Sequence, residues 1–213
     1  MVTRDFVHLH VASGFSMRYG TATPEALVER AAQQRQPVLA LTDRDGLYGA
    51  VRFTTAAAAA GVAPVLGVDL AVGSDVSDGR TSGGRARTPV RGGPVRDPRH
   101  PRVTVLARGR AAGVSPGVGW AALCRLVTDT HLRGERGEPV SAISVIAARC
   151  LGAAPSEGRP GDHPSPLVVL LGPDSDVGRA VRLRRLDQAR VLLAQWRRQL
   201  PADALVIEVV CHG

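Results

Sequence analysis

Histidine and carboxylate side chains near the ends of predicted strands are the first candidates for chemistry. His8 and His10 lie two residues apart in an apolar segment, so on a strand their imidazoles share one face. Asp43 and Asp69 each follow a later apolar run. Imidazole and carboxylate groups are common ligands of divalent metals in proteins. The pattern predicts a metal-assisted hydrolase site, although a histidine pair alone is more often a packed or solvated feature of a strand.

The elements that must position these side chains alternate between strands and helices. Strands are predicted at residues 6–11, 38–42 and 65–70, and helices at residues 24 onward and 47–60. The first helix has Thr23 as a cap, Pro24 at its first position and Glu25 in its first turn, and Gly61 ends the second helix. Short connections in this order predict parallel strands joined by right-handed crossovers, whose carboxyl ends share one edge.

The second half of the chain continues the α/β pattern after a change of composition. Residues 73–101 are rich in Gly, Ser, Pro and Arg and are predicted to form a disordered surface insertion, and residues 155–166 form another loop. The insertion contains six arginines that either are solvated or contact DNA: Arg80, Arg85, Arg87, Arg91, Arg96 and Arg99. Further strands are predicted at 102–107, 167–171 and 205–210, and helices at 120–130, 139–150 and 177–199.

These elements predict a single α/β domain over residues 1–213 with about six parallel strands in an open sheet or barrel. The sequence ends directly after the last predicted strand, without a helix to cover that edge of the sheet. Complete domains normally close or cover such an edge. We therefore expect the domain to be truncated at its C-terminus.

Composition narrows the classes of partner. The net charge is +8, and all of the positive side chains are arginines, as a GC-rich genome would favour. Such a charge favours a polyanion, but only 3% of residues are aromatic, so no platform for stacking single strands is expected. The irregularly spaced Cys124, Cys150 and Cys211 are predicted to be reduced thiols. No apolar run approaches the roughly 20 residues that cross a bilayer, so we expect a cytoplasmic protein without membrane contact.

Several segments together resemble the start of bacterial DNA polymerase III alpha subunits. They are residues 6–13, 23–32, 39–43, 47–53, 63–70, 103–107, 119–126 and 206–213. The chain is therefore identified as similar to the amino-terminal polymerase-and-histidinol-phosphatase (PHP) domain of that family, and residues 13–20 resemble its error-prone branch. The resemblance implies a distorted, incomplete TIM-like β7α7 barrel. It also implies the palm and thumb of a polymerase subunit as partners, DNA through the parent enzyme, and a role in replication, damage repair or translesion synthesis.

The resemblance also implies which positions held metal ligands. Members with an intact site bind zinc, manganese or magnesium ions, and His10, Asp43 and Asp69 occupy three ligand positions here. Asp69 is a shortened replacement for a glutamate. Other ligand positions carry residues that do not bind metals: Ala12, Tyr19, Arg44, Arg102 and Pro173. The family's last ligand strand would lie beyond Gly213.

These losses predict a vestigial site with no catalytic residue, no bound metal and no other cofactor. Two permanently charged arginines would repel a dication. Arg44 or Arg102 is expected either to pair with Asp43 or Asp69 or to point to solvent. The chain is thus interpreted as an inactive structural module of a nucleotidyltransferase, and the magnesium-binding palm is absent from its sequence. The alternatives are a metal-dependent phosphoesterase or 3′–5′ proofreading exonuclease, and a DNA-contacting module that uses the arginine-rich surface.

Overall fold

The structure, a computed structural model, describes residues 6–73, 100–115, 117–134, 137–151 and 164–210. The predicted disorder of the insertion and most of the predicted loop at 155–166 lie outside these residues, as does Cys211. Six strands are described: β1 (Val38–Leu41), β2 (Ala63–Gly73), β3 (Arg102–Ala107), β4 (Ser141–Ala142), β5 (Leu167–Leu171) and β6 (Leu205–Ile207). The α/β class and the number of strands agree with the sequence prediction.

The strands form one open sheet in the order β1-β2-β3-β5-β6, and β4 pairs with the end of β2. The β1–β2 and β5–β6 pairs are parallel, as predicted. The expectation that all strands are parallel is wrong for β3, which is antiparallel to both of its neighbours. A parallel connection needs a crossover, usually a helix, and the sequence between β2 and β3 contains no apolar helical pattern. The sheet is therefore mixed.

The predicted first strand, residues 6–11, is an extended segment rather than a strand. It forms a single parallel bridge, between His8 and Leu39 of β1. The amides of Ala40 and Thr42 donate to the carbonyls of His8 and Val11 at 3.0 and 2.8 Å. The segment therefore runs beside β1 without a continuous ladder of hydrogen bonds. The sixth strand is instead the short β4, which the sequence did not predict.

The described residues also form six α-helices: α1 (Pro24–Gln33), α2 (Ala50–Ala60), α3 (Val118–Arg133), α4 (Ile143–Cys150), α5 (Asp176–Arg182) and α6 (Leu186–Gln199). The start of α1 is as predicted, because the Thr23 hydroxyl accepts from the Ala26 amide and Pro24 is the first helical residue. Gly61 ends α2 with a left-handed φ of 69°. The helices predicted from residues 47 and 139 begin later, at Ala50 and Ile143.

The predicted long helix over 177–199 is two helices. The chain leaves the helical conformation after α5, and Arg184 takes a positive φ of 57°. The amides of Arg184 and Arg185 close this turn by donating to the carbonyls of Val181 and Ala180. The sequence hides the break because no glycine or proline marks it.

Two apolar clusters hold the fold together. The larger one joins the central strands β2, β3 and β5 to α3, α4 and α6, and it includes the fully buried Trp196. The smaller one joins β1 to α1 and α2 around Phe53, which is also fully buried. No helix in the described part of the chain combines the length and apolar character needed to span a bilayer.

Candidate functional site

A cleft of about 440 Å³ lies where the parallel strands end. Five charged side chains line it: Arg44 after β1, Asp69 in β2, Asp174 after β5, Glu208 after β6, and His10 in the N-terminal extended segment. The antiparallel β3 enters from the opposite direction and contributes residues from its beginning. Its pairing with β2 sets Thr104 opposite Asp69, so that Arg102 also lies at the cleft. The cleft is thus lined by charged side chains from six strands or extended segments.

Arg102 is the centre of a buried ion-pair network in this cleft. Its Nε donates to Asp69 Oδ2 at 3.0 Å, and one Nη donates to Asp45 Oδ1 at 2.8 Å and to the Asp69 carbonyl at 2.7 Å. The side chains of Arg102 and Asp69 are only 7% and 9% exposed. Buried guanidinium and carboxylate groups need such paired, hydrogen-bonded contacts to offset their desolvation.

Arg44 adds a second positive charge to the same carboxylate. Its Nε lies 3.8 Å from Asp69 Oδ2, and its guanidinium stacks on the Tyr19 ring with 3.7 Å to the ring centroid. Burial and the nearby Arg102 lower the pKa of Arg44, and Asp69 opposes this shift. Burial also lowers the pKa of Arg102, but Asp69 and Asp45 outweigh it and leave that pKa raised. Both guanidinium groups therefore depend on carboxylates that a metal ion would otherwise use.

Asp43 occupies a separate environment. Its carboxylate is buried and accepts from the Ser13 amide at 2.7 Å, from the Ser13 hydroxyl at 2.8 Å and from the Ser16 hydroxyl at 2.6 Å. The Ser16 hydroxyl in turn accepts from the Arg44 amide at 2.9 Å. Asp43 thus fixes the loop that carries Tyr19, and neither arginine pairs with it among the described contacts. The sequence-predicted ion pair forms with Asp69 instead.

His10 is held at the other side of the cleft by a residue that the sequence reasoning missed. Its Nδ1 lies 3.3 Å from a Glu208 carboxylate oxygen and 3.3 Å from the Thr104 hydroxyl. Burial lowers the pKa of His10, but the hydrogen bond and charge of Glu208, with Asp69 and Asp174, outweigh it and leave the pKa raised above 6.5. His10 is therefore engaged with a carboxylate rather than with the network around Arg102.

Three acidic residues of the cleft region were not singled out from the sequence: Asp45, Asp174 and Glu208. Glu208 follows the β6 strand directly, and acidic residues after parallel strands are a signal that could have found it. Gly172 lies directly beside it, and a Cβ at that position would displace the Glu208 carboxylate from its present place. Ala12 and Pro173 also line the cleft and offer no ligand atom from their side chains.

The donor set does not suit a metal cluster. In the part of the chain that the structure describes, no group of three or more His, Cys, Asp and Glu side chains is arranged to hold a metal ion. The Asp69 carboxylate contacts two guanidinium groups, and His10 Nδ1 is turned to Glu208. A dication would have to displace both cations and remain near their charge. The residues therefore do not fit the metal site that the resemblance implies for intact members.

Comparison with known proteins shows the family to which the chain belongs. The PHP domain family matches residues 8–212, which is nearly the whole chain. The chain belongs to the PHP domain family.

Curated relatives are named error-prone DNA polymerase. Those of Mycolicibacterium paratuberculosis and Mycobacterium tuberculosis are each 40% identical over 135 residues, and that of Corynebacterium diphtheriae is 32% identical over 134 residues. These alignments cover 63% of this chain but only 10% of each relative. The chain thus corresponds to a small part of much longer proteins.

Among solved structures, a putative metal-dependent phosphoesterase from Bifidobacterium adolescentis is similar at a TM-score of 0.44 and 17% identity. That match covers 93% of this chain and 80% of the phosphoesterase chain. An amidohydrolase from Chromobacterium violaceum matches at a TM-score of 0.44 and 15% identity, over 91% of this chain and 73% of the other.

Proposed function

We propose that this domain is a non-catalytic structural module of an error-prone DNA polymerase, in which an arginine–carboxylate network replaces a metal cluster. The observation that carries this proposal is that Arg102 and Arg44 both form ion pairs with the Asp69 carboxylate. The names of the curated relatives support the polymerase context. Its partners are then the palm and thumb of the same polymerase subunit, in the cytoplasm. The parent enzyme binds the DNA during replication or damage repair.

The charge balance explains how the network could serve a structural purpose. Arg102 pairs with Asp69 and Asp45, and Arg44 also lies near Asp69, so each positive charge of the network faces at least one carboxylate. The contacts join residues after β1 to β2 and β3, three elements that a shared metal ion could also have joined. An ion-pair network of this kind preserves the position of the strand ends without supplying a Lewis acid or an activated water.

The proposal is tested by measuring metal content and phosphoesterase activity on the same protein. The chain would be purified in the presence of zinc and, separately, manganese, dialysed, and analysed by mass spectrometry for bound metal. Hydrolysis of a chromogenic phosphodiester and of a 3′-labelled DNA strand would be followed with each metal present. We expect metal far below one equivalent and no turnover above background.

The double variant H10Q/E208Q sets that background, because it removes the imidazole and the carboxylate that remain outside the arginine network. The wild-type chain and this variant should give the same metal content and the same residual hydrolysis. Stoichiometric metal in the wild type, together with turnover that the variant loses, would instead establish a metal-dependent phosphoesterase or 3′–5′ exonuclease.

A further inference from the structure

The surface formed by α5, α6 and the turn between them concentrates positive charge. Residues 176–199 contain seven arginines and two aspartates, so this short stretch supplies five of the eight net positive charges of the whole chain. Six of the arginines are exposed, and they are here called the α5–α6 arginine surface: Arg182, Arg184, Arg185, Arg190, Arg197 and Arg198. The cleft residues described above do not belong to it.

Most of this charge is not neutralised within the fold. Arg182 lies 3.7 Å from Asp174, and Arg190 lies 3.0 Å from Asp187 on the same helix. For the other four arginines of the surface, no ion pair with a carboxylate occurs within the residues that the structure describes. Arg184 and Arg185 lie between the negative end of α5 and the positive end of α6, so the two helix dipoles oppose each other there. Arg197 and Arg198 lie in the last turn of α6, where cations stabilise a helix, so the helix dipole accounts for that end of the surface but not for Arg184 and Arg185.

The surface is extended rather than concave. Arg190 and Arg197 are seven residues apart and so lie on one side of α6, separated by about 10 Å along its axis. Arg184 and Arg185 precede the helix, and the distance from them to Arg197 and Arg198 along the helix is about 20 Å. Such a row of guanidinium groups matches a long polyanion better than a small anionic ligand.

Two observations distinguish among extended polyanions. The only aromatic residue of α5 and α6 is Trp196, which is fully buried, so no ring is available to stack unpaired bases. The main apolar side of α6 packs into the core through Ala189 and Trp196 and is not available for insertion into a lipid surface, although Val181, Leu183, Leu186 and Val191 of the same surface are exposed. A duplex, which presents phosphates and hides its bases, requires neither feature.

We propose that the α5–α6 arginine surface binds the phosphodiester backbone of double-stranded nucleic acid without regard to sequence. This interaction goes beyond the proposed structural role and does not depend on it, because it requires only the charges of this surface. Each phosphate that an arginine neutralises releases counterions, so the affinity must fall steeply with salt.

The test is fluorescence anisotropy of the full chain with a labelled 20-base-pair duplex over a range of salt concentrations. The variant R184Q/R185Q/R197Q/R198Q removes the four arginines that have no carboxylate partner. We expect it to weaken binding at least tenfold and to reduce the slope of log affinity against log salt by about three to four, since each phosphate contact contributes about 0.9.

The matched control is R30Q/R35Q/R110Q/R125Q, which removes four exposed arginines elsewhere and changes the net charge by the same amount. It should retain most of the salt dependence of the wild type. Circular dichroism and thermal melting would show that both variants fold. Equal losses in the two variants, or a flat salt response of the wild type, would overturn the proposal. Binding to anionic vesicles but not to the duplex would also overturn it.

Discussion

The arginines of the cleft and those of the α5–α6 arginine surface differ in burial and pairing. In the cleft, Arg102 is 7% exposed and pairs with both Asp69 and Asp45. On the α5–α6 arginine surface, Arg184 and Arg197 are exposed and have no ion pair within the described residues. A buried cation needs a carboxylate partner within the protein because it is removed from solvent. An exposed cation is solvated and is available to bind an external partner. Burial thus separates charges that stabilise a fold from charges available for binding.

The largest effect is expected from D69N in the cleft. The substitution removes the carboxylate that both Arg102 and Arg44 contact, and Arg102 is buried. Breaking a buried ion pair from one side costs about 3–5 kcal/mol, because the other charge is left without compensation. Urea unfolding should therefore show a large decrease in the free energy of unfolding.

The control for D69N is D187N, which removes the carboxylate of an exposed pair on α6. The Asp187 and Arg190 side chains are 97% and 78% exposed, so solvent already screens their interaction. This variant should have the same unfolding midpoint as the wild type. If D69N and D187N behaved alike, the distinction between buried and exposed charges would not hold.

A smaller effect of opposite sign is expected from R184G on the α5–α6 arginine surface. Arg184 has a φ of 57°, a left-handed conformation that costs a side chain bearing a Cβ about 1 kcal/mol and that glycine adopts freely. Thermal unfolding should show that R184G is more stable than the wild type by about that amount, while its affinity for the duplex decreases.

R185G tests whether this gain comes from backbone conformation. Arg185 has a φ of −92°, so glycine relieves no strain there, although it removes the same charge. R185G should be no more stable than the wild type. A similar stabilisation by both substitutions would assign the effect to reduced charge repulsion instead.

The smallest effect concerns the protonation of His10. Its raised pKa means that the charged pair with Glu208 stabilises the fold below pH 6.5 and that this contribution is lost as the pH rises through the folded-state pKa. The variant E208Q removes the charge that raises the pKa. Titration of the His10 imidazole signal by NMR should therefore show a lower pKa in E208Q, and D187N should leave it unchanged.

Much of the fold follows from local sequence signals. The Thr23–Pro24 start of α1, the Gly61 end of α2 and the apolar runs of β1, β3 and β5 are each decided by residues close in sequence. The direction of β3 and the break before Arg184 are not, because pairing across the sheet and tertiary packing decide them. The short β4 likewise exists only through its pairing with β2.

The candidate site was predictable in its residues but not in its contacts. The resemblance pointed to His10, Asp69, Arg44 and Arg102, and the structure brings all four to one cleft. The contacts of Asp43 were not predicted, because its carboxylate accepts hydrogen bonds from Ser13 and Ser16, which lie about 30 positions earlier in the chain. Glu208 reaches His10 across 198 positions, a contact that only the folded sheet creates.

The central claim is that Arg102 and Arg44 occupy the carboxylate on which a metal site would depend. Its most direct test is a crystal structure from crystals soaked in manganese or zinc, with diffraction data collected above the absorption edge of the metal. We expect no anomalous peak in the cleft and an Arg102 Nε that remains within hydrogen-bond distance of Asp69. A strong peak between His10 and Asp69, with Arg102 displaced, would contradict it.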